Sequence, residues 1–413
     1  MDFKFIHAAD LHLDSPLRGL SVYEDSLREQ VQLATREAFK QLIDYCLESR
    51  AAFLILAGDL FDGTWKDVSV GFFFNHQIKR LTSTGIQVFI VYGNHDAQCI
   101  LGESQIHPEL AHVFAADKPQ TILIDNLEVA LHGQSFGQKE VMENLAQKFP
   151  GAKKGYLNIG ILHTNADQSG GPHANYAPCS ISDLVAKNYD YWALGHVHKN
   201  MILHENPWVV FPGNLQGRHI KETGAKGFVE VEVKAGKINS VRHQAINVVR
   251  WEKLEIKLEG LDSAVESIGV IKDRVELYNA NGANSINVFR VILKAPSPLY
   301  DVLIKNKEYY RRECRYALPH LNHLEKFLIE ELETVNQKPD LLKKNEYPEW
   351  WELSDRIINT PEFLTDATKG LASLFSAIPR DEESDDTVID SVDIEQARKL
   401  LFAHLSGGEE NED

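Results

Sequence analysis

Five short apolar runs in the first 200 residues each end on side chains able to bind metal ions. No other feature of the chain constrains its fold as strongly. Phe3-Lys4-Phe5-Ile6-His7-Ala8-Ala9 closes on Asp10-Leu11-His12. Residues i and i+2 of a strand share a face, so Asp10 and His12 are expected to aim the same way. Phe53-Leu54-Ile55-Leu56-Ala57 runs into Gly58-Asp59, and Ile86 to Tyr92 runs into Gly93-Asn94-His95-Asp96. Leu157 to Leu162 ends on His163, and Tyr191-Trp192-Ala193-Leu194 ends on Gly195-His196-Val197-His198. Each run has the length of a buried strand. In α/β sheets, sites assemble just past the strand ends.

Length and composition set the outer bounds. A chain of 413 residues exceeds one compact core, so two or three domains are expected. The chain enters its first strand at once, without a basic leader or small-residue cleavage site, and no apolar run nears the ~20 residues that span a bilayer. Cys46, Cys99, Cys179 and Cys314 lie far apart with no CxxC pair, the usage of a reduced, cytoplasmic protein. The net charge of −17 sits badly with a nucleic-acid enzyme until its distribution is read. Residues 380–413 carry twelve acids against three bases, leaving −8 for the other 379 residues. Bulk charge therefore does not exclude a DNA substrate, although it argues against a charge-driven coat on DNA.

Strands and helices alternate through residues 1–245. Helical spacing appears over Glu24–Ser49 and Val68–Leu81, the latter with Phe72-Phe73-Phe74 expected in the core, and Lys139–Phe149 also reads as a helix. Asp125-Asn126 between two alternating runs is a hairpin signature, and 201–244 is mainly strand. Residues 246–336 read as a small α/β cap. Its β-α-β unit is Trp251–Leu258, Ser263–Tyr278 and Ile286–Leu293, followed by helices Leu299–Arg315 and Leu321–Asn336. Residues 337–413 read as a helical, partner-binding region: Glu349–Ile358, Pro361–Ile378, an acidic linker at 381–387 and a last helix near Val392–Leu405.

The polar residues on the strand ends form an oxygen and nitrogen ligand set: two aspartates, one asparagine and several histidines. No cysteine belongs to it, which disfavours a thiolate zinc site and leaves manganese, iron and zinc open. There are more ligands than one open catalytic ion needs. Two ions about 3.5–4 Å apart, sharing a carboxylate, fit better and suit in-line displacement at phosphorus. His95 and Asp96 then suit another role, an imidazole oriented by a carboxylate that protonates or stabilises the leaving oxygen. Asp14 and Asp62 read as loop caps or acceptors behind the ligands, and His7 as a core residue. His132 fits the site's outer shell or hairpin packing equally. Arg218, His219, Lys221 and Lys226 read first as solvated charges, and only then as phosphate contacts.

The order Asp-x-His, Gly-Asp, Gly-Asn-His-Asp, lone His, Gly-His-x-His resembles the calcineurin-like metallophosphoesterase superfamily over about 200 residues. The resemblance implies an α/β fold of two stacked mixed β-sheets flanked by helices. It implies one ion at Asp10, His12, Asp59 and His198, and another at Asn94, His163 and His196 with Asp59 bridging. His95 matches the family's catalytic histidine. The segments His7–Asp14 and Gly58–Asp62 resemble DNA-repair exonucleases of the SbcD type, within them the bacterial YhaO-like branch. Such nucleases work with Rad-fifty-like coiled-coil ATPases. The resemblance thus implies a DNA exonuclease with two divalent ions, manganese first and iron or zinc as alternatives. It implies DNA and a coiled-coil ATPase as partners and, together with the aromatic-rich helix at 68–81, a homodimer; the lack of a long apolar run leaves no membrane expected. Gly213-Asn214-Leu215-Gln216 departs from the Gly-Ser turn common there. Tyr92 stands where phosphoprotein phosphatases carry arginine, which counts against that branch. The competing readings are a small-molecule phosphodiesterase or nucleotidase, and an inactive scaffold for an ATPase.

Overall fold

The computed structural model describes residues 1–13, 15, 33–62, 69–98, 106–167, 176–246, 248–261, 263–279, 285–317, 327–336, 348–358 and 360. In chain order the first elements are β1 (Phe3–Ala8), α1 (Ala34–Glu48), β2 (Phe53–Ala57), α2 (Ser69–Thr82), β3 (Gln87–Val91), β4 (His112–Val113), β5 (Gln120–Ile124) and β6 (Val129–Gly133). There follow β7 (Leu157–His163), α3 (Ile181–Val185), β8 (Tyr191–Gly195), β9 (Met201–Glu205), β10 (Trp208–Phe211), β11 (Gly227–Lys234) and β12 (Lys237–Ala245). They build two six-stranded mixed sheets, β12-β11-β1-β2-β3-β4 and β5-β6-β7-β8-β10-β9.

Period-two patterning sorts the strand residues into layers. Ile6, Ala8, Leu54, Leu56, Val88 and Ile90 form one cluster with Ala38, Phe39 and Leu42 of α1 and Phe74 and Ile78 of α2. Phe5, Phe53, Ile55, Phe89 and Val91 point the other way and pack on Leu131, Ile159, Ile161, Tyr191 and Ala193 of the second sheet. A third cluster covers the far side of that sheet, where Leu162, Trp192 and Leu194 meet Leu145, Phe149 and Leu184. Strands apolar on both faces, such as Phe53-Leu54-Ile55-Leu56-Ala57, are what parallel neighbours covered on both sides require. This register brings β1, β2, β3, β7 and β8 to a common edge with their C-terminal ends together.

Contacts divide the chain into two compact units. The first is Met1–Lys253 with Gly282–Phe289 and Lys326–Glu330, and the second takes Leu254–Asn281, Arg290–Glu325 and Glu331–Asp413. Later elements are β13 (Val249–Lys257), α4 (Glu266–Asn279), β14 (Ile286–Ala295), α5 (Ser297–Lys305), α6 (Lys307–Ala317), β15 (Phe327–Asn336) and α7 (Pro348–Ile358). The three strands form one sheet, β13-β14-β15.

Several sequence expectations change. Lys139–Phe149 is not a helix: only Leu145–Lys148 makes a 3-10 turn, because Val141 gives its carbonyl to Ala177 N and Asn144 reaches across to Asp183. Of the helix expected over Leu321–Asn336, residues 327–336 are described and are not helical. They form strand β15, with Leu328, Ile329 and Leu332 buried. Glu331 and Glu333 meet Lys307 and Arg290, so sheet pairing overrides the helical preference of a glutamate-rich segment. Leu299–Arg315 breaks at Asn306 into α5 and α6. Of Phe72-Phe73-Phe74, Phe74 is core, Phe73 lies half-buried beneath Arg36, and Phe72 is 76% exposed. Successive helix positions face apart, so one core cannot take all three. The start of the Glu24–Ser49 helix, Asp14, Pro361–Ile378, the linker and the last helix lie outside the described residues. Among the described residues no helix is long and apolar enough to cross a membrane.

Candidate metal centre

The chain leaves β1 into two residues with left-handed backbone, Asp10 (φ 51°) and His12 (φ 40°). Asp59 (φ 51°) and His196 (φ 104°) share that conformation at their own strand ends. Side chains at positive φ cost conformational energy, and such residues gather at functional sites. Asp10 and His12 thus reach the site through a twisted turn, not through the strand alternation expected from sequence. The turn is held in place by Gly58: Asp10 N donates to Gly58 O and His12 N to Asp59 O, both at 3.0 Å. Gly58 itself has φ 92°, and a Cβ there would collide with the ring of His163. At Gly195 a Cβ would strike the carbonyl of Ala57. The two sheet ends meet closely enough for metal ligands because these positions lack side chains.

Main-chain donors fix the carboxylates. His196 N donates to both oxygens of Asp10 at 3.1 Å, and His95 N donates to Asp59 Oδ1 at 3.0 Å. Asp59 Oδ2 then lies 3.3 Å from His163 Nε2 and 3.9 Å from His12 Nε2. Asn94 Oδ1 is 3.1 Å from His163 Nε2, and His12 Nε2 faces His198 Nε2 at 3.2 Å. Asp10, His12 and His198 form one group with ligand atoms within 4.8 Å of one another, Asp59, His163 and His196 form a second, and His12, shared with the first, forms a third with Asp62 and His95. Ligand atoms bound at about 2.1 Å to a common ion lie roughly 3 Å apart when at right angles. The spacings fit that geometry. Two imidazole nitrogens turned toward each other also call for a shared cation, and Nδ1 of His12 is buried without a hydrogen-bond partner.

Charge points the same way. Burial disfavours the Asp59 carboxylate, but His163 and His95 outweigh it and hold its pKa well below the usual range. Burial likewise disfavours a charged His163, yet Asp59 raises it to about 9. Asp59 thus draws positive charge to this spot. Burial pushes Asp10 up to about 6 and Asp96, with Asp59 beside it, up to about 7.

Asp10, His12, Asp59, Asn94, His163, His196 and His198 therefore converge, with His95 against them: its ring meets that of His12 edge-on at 4.9 Å. Asp96 does not take its expected place behind His95. Its Oδ1 accepts Leu60 N and Phe61 N and its Oδ2 accepts Gly93 N, because it opens the 3-10 turn Asp96–Gln98 facing the β2 loop. The carboxylate on the His95 ring is Asp62, whose Oδ1 is 3.1 Å from Nδ1. His7 is a core residue, bonded to Tyr191 and Leu194 O. His132 lies in the hairpin between Thr121 and Asn158, stacked on Tyr189.

Arg218 and Lys226 are not solvated charges. Both are buried, Arg218 paired with Glu222 and Lys226 Nζ donating to His198 O at 2.7 Å. Glu222, which the sequence did not single out, lies 2.7 Å from His198 Nδ1. Burial works against its charge, but Arg218 and His198 hold it well below the usual carboxylate range. Its one sequence signal is an acid inside a basic loop.

The sequence model of the calcineurin-like phosphoesterases matches residues 3–200, the span holding every expected ligand. The chain is 35% identical to the uncharacterised metallophosphoesterase YhaO of Bacillus subtilis (strain 168), over 72% of this chain and 73% of that protein. This chain belongs to the calcineurin-like phosphoesterase family. More distant relatives include proteins named DNA double-strand break repair protein Mre11. That of Methanocaldococcus jannaschii is 25% identical over 65% of this chain and 73% of its own length. That of Sulfurisphaera tokodaii is 24% identical over 73% and 76%. As a metallophosphoesterase, the chain carries His and Asp groups suited to divalent ions where that family acts.

Proposed function

We propose that this metallophosphoesterase is a DNA phosphodiesterase, an exonuclease subunit that uses two divalent ions, manganese first. The observation that carries the reading is the pairing of the Asp10/His12/His198 and Asp59/His163/His196 groups with a partly exposed imidazole, His95, backed by Asp62. Asp10, His12, Asp59 and His198 would hold one ion, and Asn94, His163 and His196, with Asp59 shared, the other. When bound, the ions would supply Lewis acidity, activation of water and neutralisation of phosphate charge. The chain does the rest. Asp62 accepts the Nδ1 proton of His95, which leaves Nε2 as the atom that handles a proton at the leaving oxygen. Backbone N–H groups of His95 and His196 keep Asp59 and Asp10 in place while substrate enters. The DNA substrate is supported by the likeness to proteins named for double-strand break repair.

The test uses purified protein, end-labelled duplex DNA and Mn²⁺, with chelator controls and bis(p-nitrophenyl) phosphate alongside. Metal-dependent release of nucleotides from DNA ends is expected. Hydrolysis of the small diester without attack on DNA would instead favour a small-molecule phosphodiesterase, and metal-free, inert protein would favour a scaffold.

Two partner proposals belong to the same reading. A homodimer through α2 is supported by the exposure of Phe72 and would show as a dimer in sedimentation at micromolar concentration. A coiled-coil ATPase would engage residues 337–413, so deletion of 340–413 should abolish binding to a co-expressed ATPase and spare basal hydrolysis.

A further inference from the structure

The carboxylate of Glu222 is buried and both of its oxygens meet donors. Oε1 lies 2.7 Å from His198 Nδ1 and 3.1 Å from Arg218 Nη2. Oε2 accepts Arg218 N at 2.7 Å and Asn214 Nδ2 at 2.8 Å. An amide in this position would turn its NH₂ toward donors whichever way it flipped, so the surroundings ask for an anion. Because Nδ1 of His198 gives its proton to Oε1, the lone pair of that ring sits on Nε2. That atom faces His12 Nε2 at 3.2 Å. Lys226 Nζ grips the carbonyl of the same residue, so His198 is fixed at both ring and main chain.

The other group of ligands is built differently. His163 rests its Nδ1 on a main-chain carbonyl, Ala57 O, at 3.0 Å. A carboxylate behind an imidazole makes the ring a more basic and better oriented ligand than a neutral carbonyl does. We propose that Glu222 is a positioning residue for His198, and that it sets the affinity of the ion held by Asp10, His12 and His198 without setting that of the ion beside His163. The proposal rests on the two-ion reading above.

The experiment titrates Mn²⁺ into the full-length protein by calorimetry and follows the bound ions by electron paramagnetic resonance. Wild type should take up two ions that give an exchange-coupled signal. Glu222→Gln should weaken one binding step by about 10–100-fold and leave the other in place. At intermediate Mn²⁺ the coupled signal then gives way to that of an isolated ion. A purely structural role would weaken both steps together, and that result overturns the proposal, as does an unchanged titration. Glu222→Asp keeps the charge beside Arg218 but draws the carboxylate back from Nδ1, so it should show the same single-step loss. Should neither variant fold, the ring of His198 in ¹⁵N-histidine-labelled wild type decides, identified by its absence from His198→Ala. A protonated, hydrogen-bonded Nδ1 supports the role of Glu222, and an unprotonated Nδ1, with the proton on Nε2 alone, overturns it. Wild type that binds no Mn²⁺ would defeat the two-ion reading itself, an outcome distinct from a variant that binds two ions as wild type does.

Discussion

His198 leans on the carboxylate of Glu222, contributed by the loop beyond β10, whereas His163 leans on the carbonyl of Ala57, the last residue of β2. One half of the site is therefore braced by side chains from a loop, and the other by the meeting of two sheets. Loop side chains can be exchanged without shifting a strand, although Glu222 and Arg218 are themselves buried as a pair. A main-chain carbonyl cannot be removed, and the glycines that let it approach cannot be enlarged. The half around His163 is thus tied to the fold itself, while the half around His198 is open to tuning.

The sharpest break of this comparison is at Asp59, the carboxylate between the halves. Asp59→Ala should lose both ions and reduce hydrolysis to background, as read by elemental analysis and the DNA-end assay. His95→Ala separates chemistry from metal holding. It should lower kcat by about 10²–10⁴-fold with two ions retained. Loss of both ions in that variant, or wild-type turnover, would show that His95 is not the proton-handling group. Asp62→Asn should have a smaller effect in the same direction, since it leaves the imidazole present but poorly oriented.

Gly195→Ala sharpens the structural side of the contrast. The added methyl must displace Ala57 O, the atom that orients His163, so stability and the second ion should fall together. Overpacking of this kind costs about 1–3 kcal/mol, visible as a lower melting temperature. Unchanged melting with normal uptake of both ions would mean that the sheet ends are looser than the glycines imply.

What the sequence revealed and hid follows the same division. Strand ends are legible because continuous apolar runs and the residues that follow them are local, and so Asp10, His12, Asp59, Asn94, His163, His196 and His198 could be picked out as candidates. Glycines beside them marked close approach without saying to what. Glu222 and Asp62 were harder, since a carboxylate earns its role from a partner that is distant in sequence: Glu222 lies 24 residues from His198. Arg218 and Lys226 looked like surface charges because burial by tertiary packing leaves no local signature. In β15 the glutamates favour a helix by intrinsic preference, and only the neighbouring strand and the cations on α6 and β14 decide otherwise.

The smallest effect lies beneath both halves. His7 on β1 is fully buried and bonds the second sheet twice, at Tyr191 OH (3.0 Å) and Leu194 O (3.1 Å). A carbonyl only accepts, so Nε2 carries the proton and Nδ1 accepts from the tyrosine. Burial lowers the pKa of His7 to about 3, partly opposed by the bond to Leu194 O. An unfolded histidine titrates near 6.5. Between these values the unfolded chain binds a proton that the folded chain does not, so His7 lowers stability as pH falls from about 6.5 toward about 3. The sign is that of a depressed base: no penalty at pH 7, and about 1.4 kcal/mol for each unit below 6.5. Gln at this position can donate to Leu194 O and accept from Tyr191 without titrating. Chemical denaturation of wild type and His7→Gln at pH 7 and pH 5 should show the variant less stable by about 1 kcal/mol at pH 7. At pH 5 the difference should move in favour of the variant by about 2 kcal/mol. A difference that stays constant between the two pH values would mean that His7 is not held neutral between the sheets.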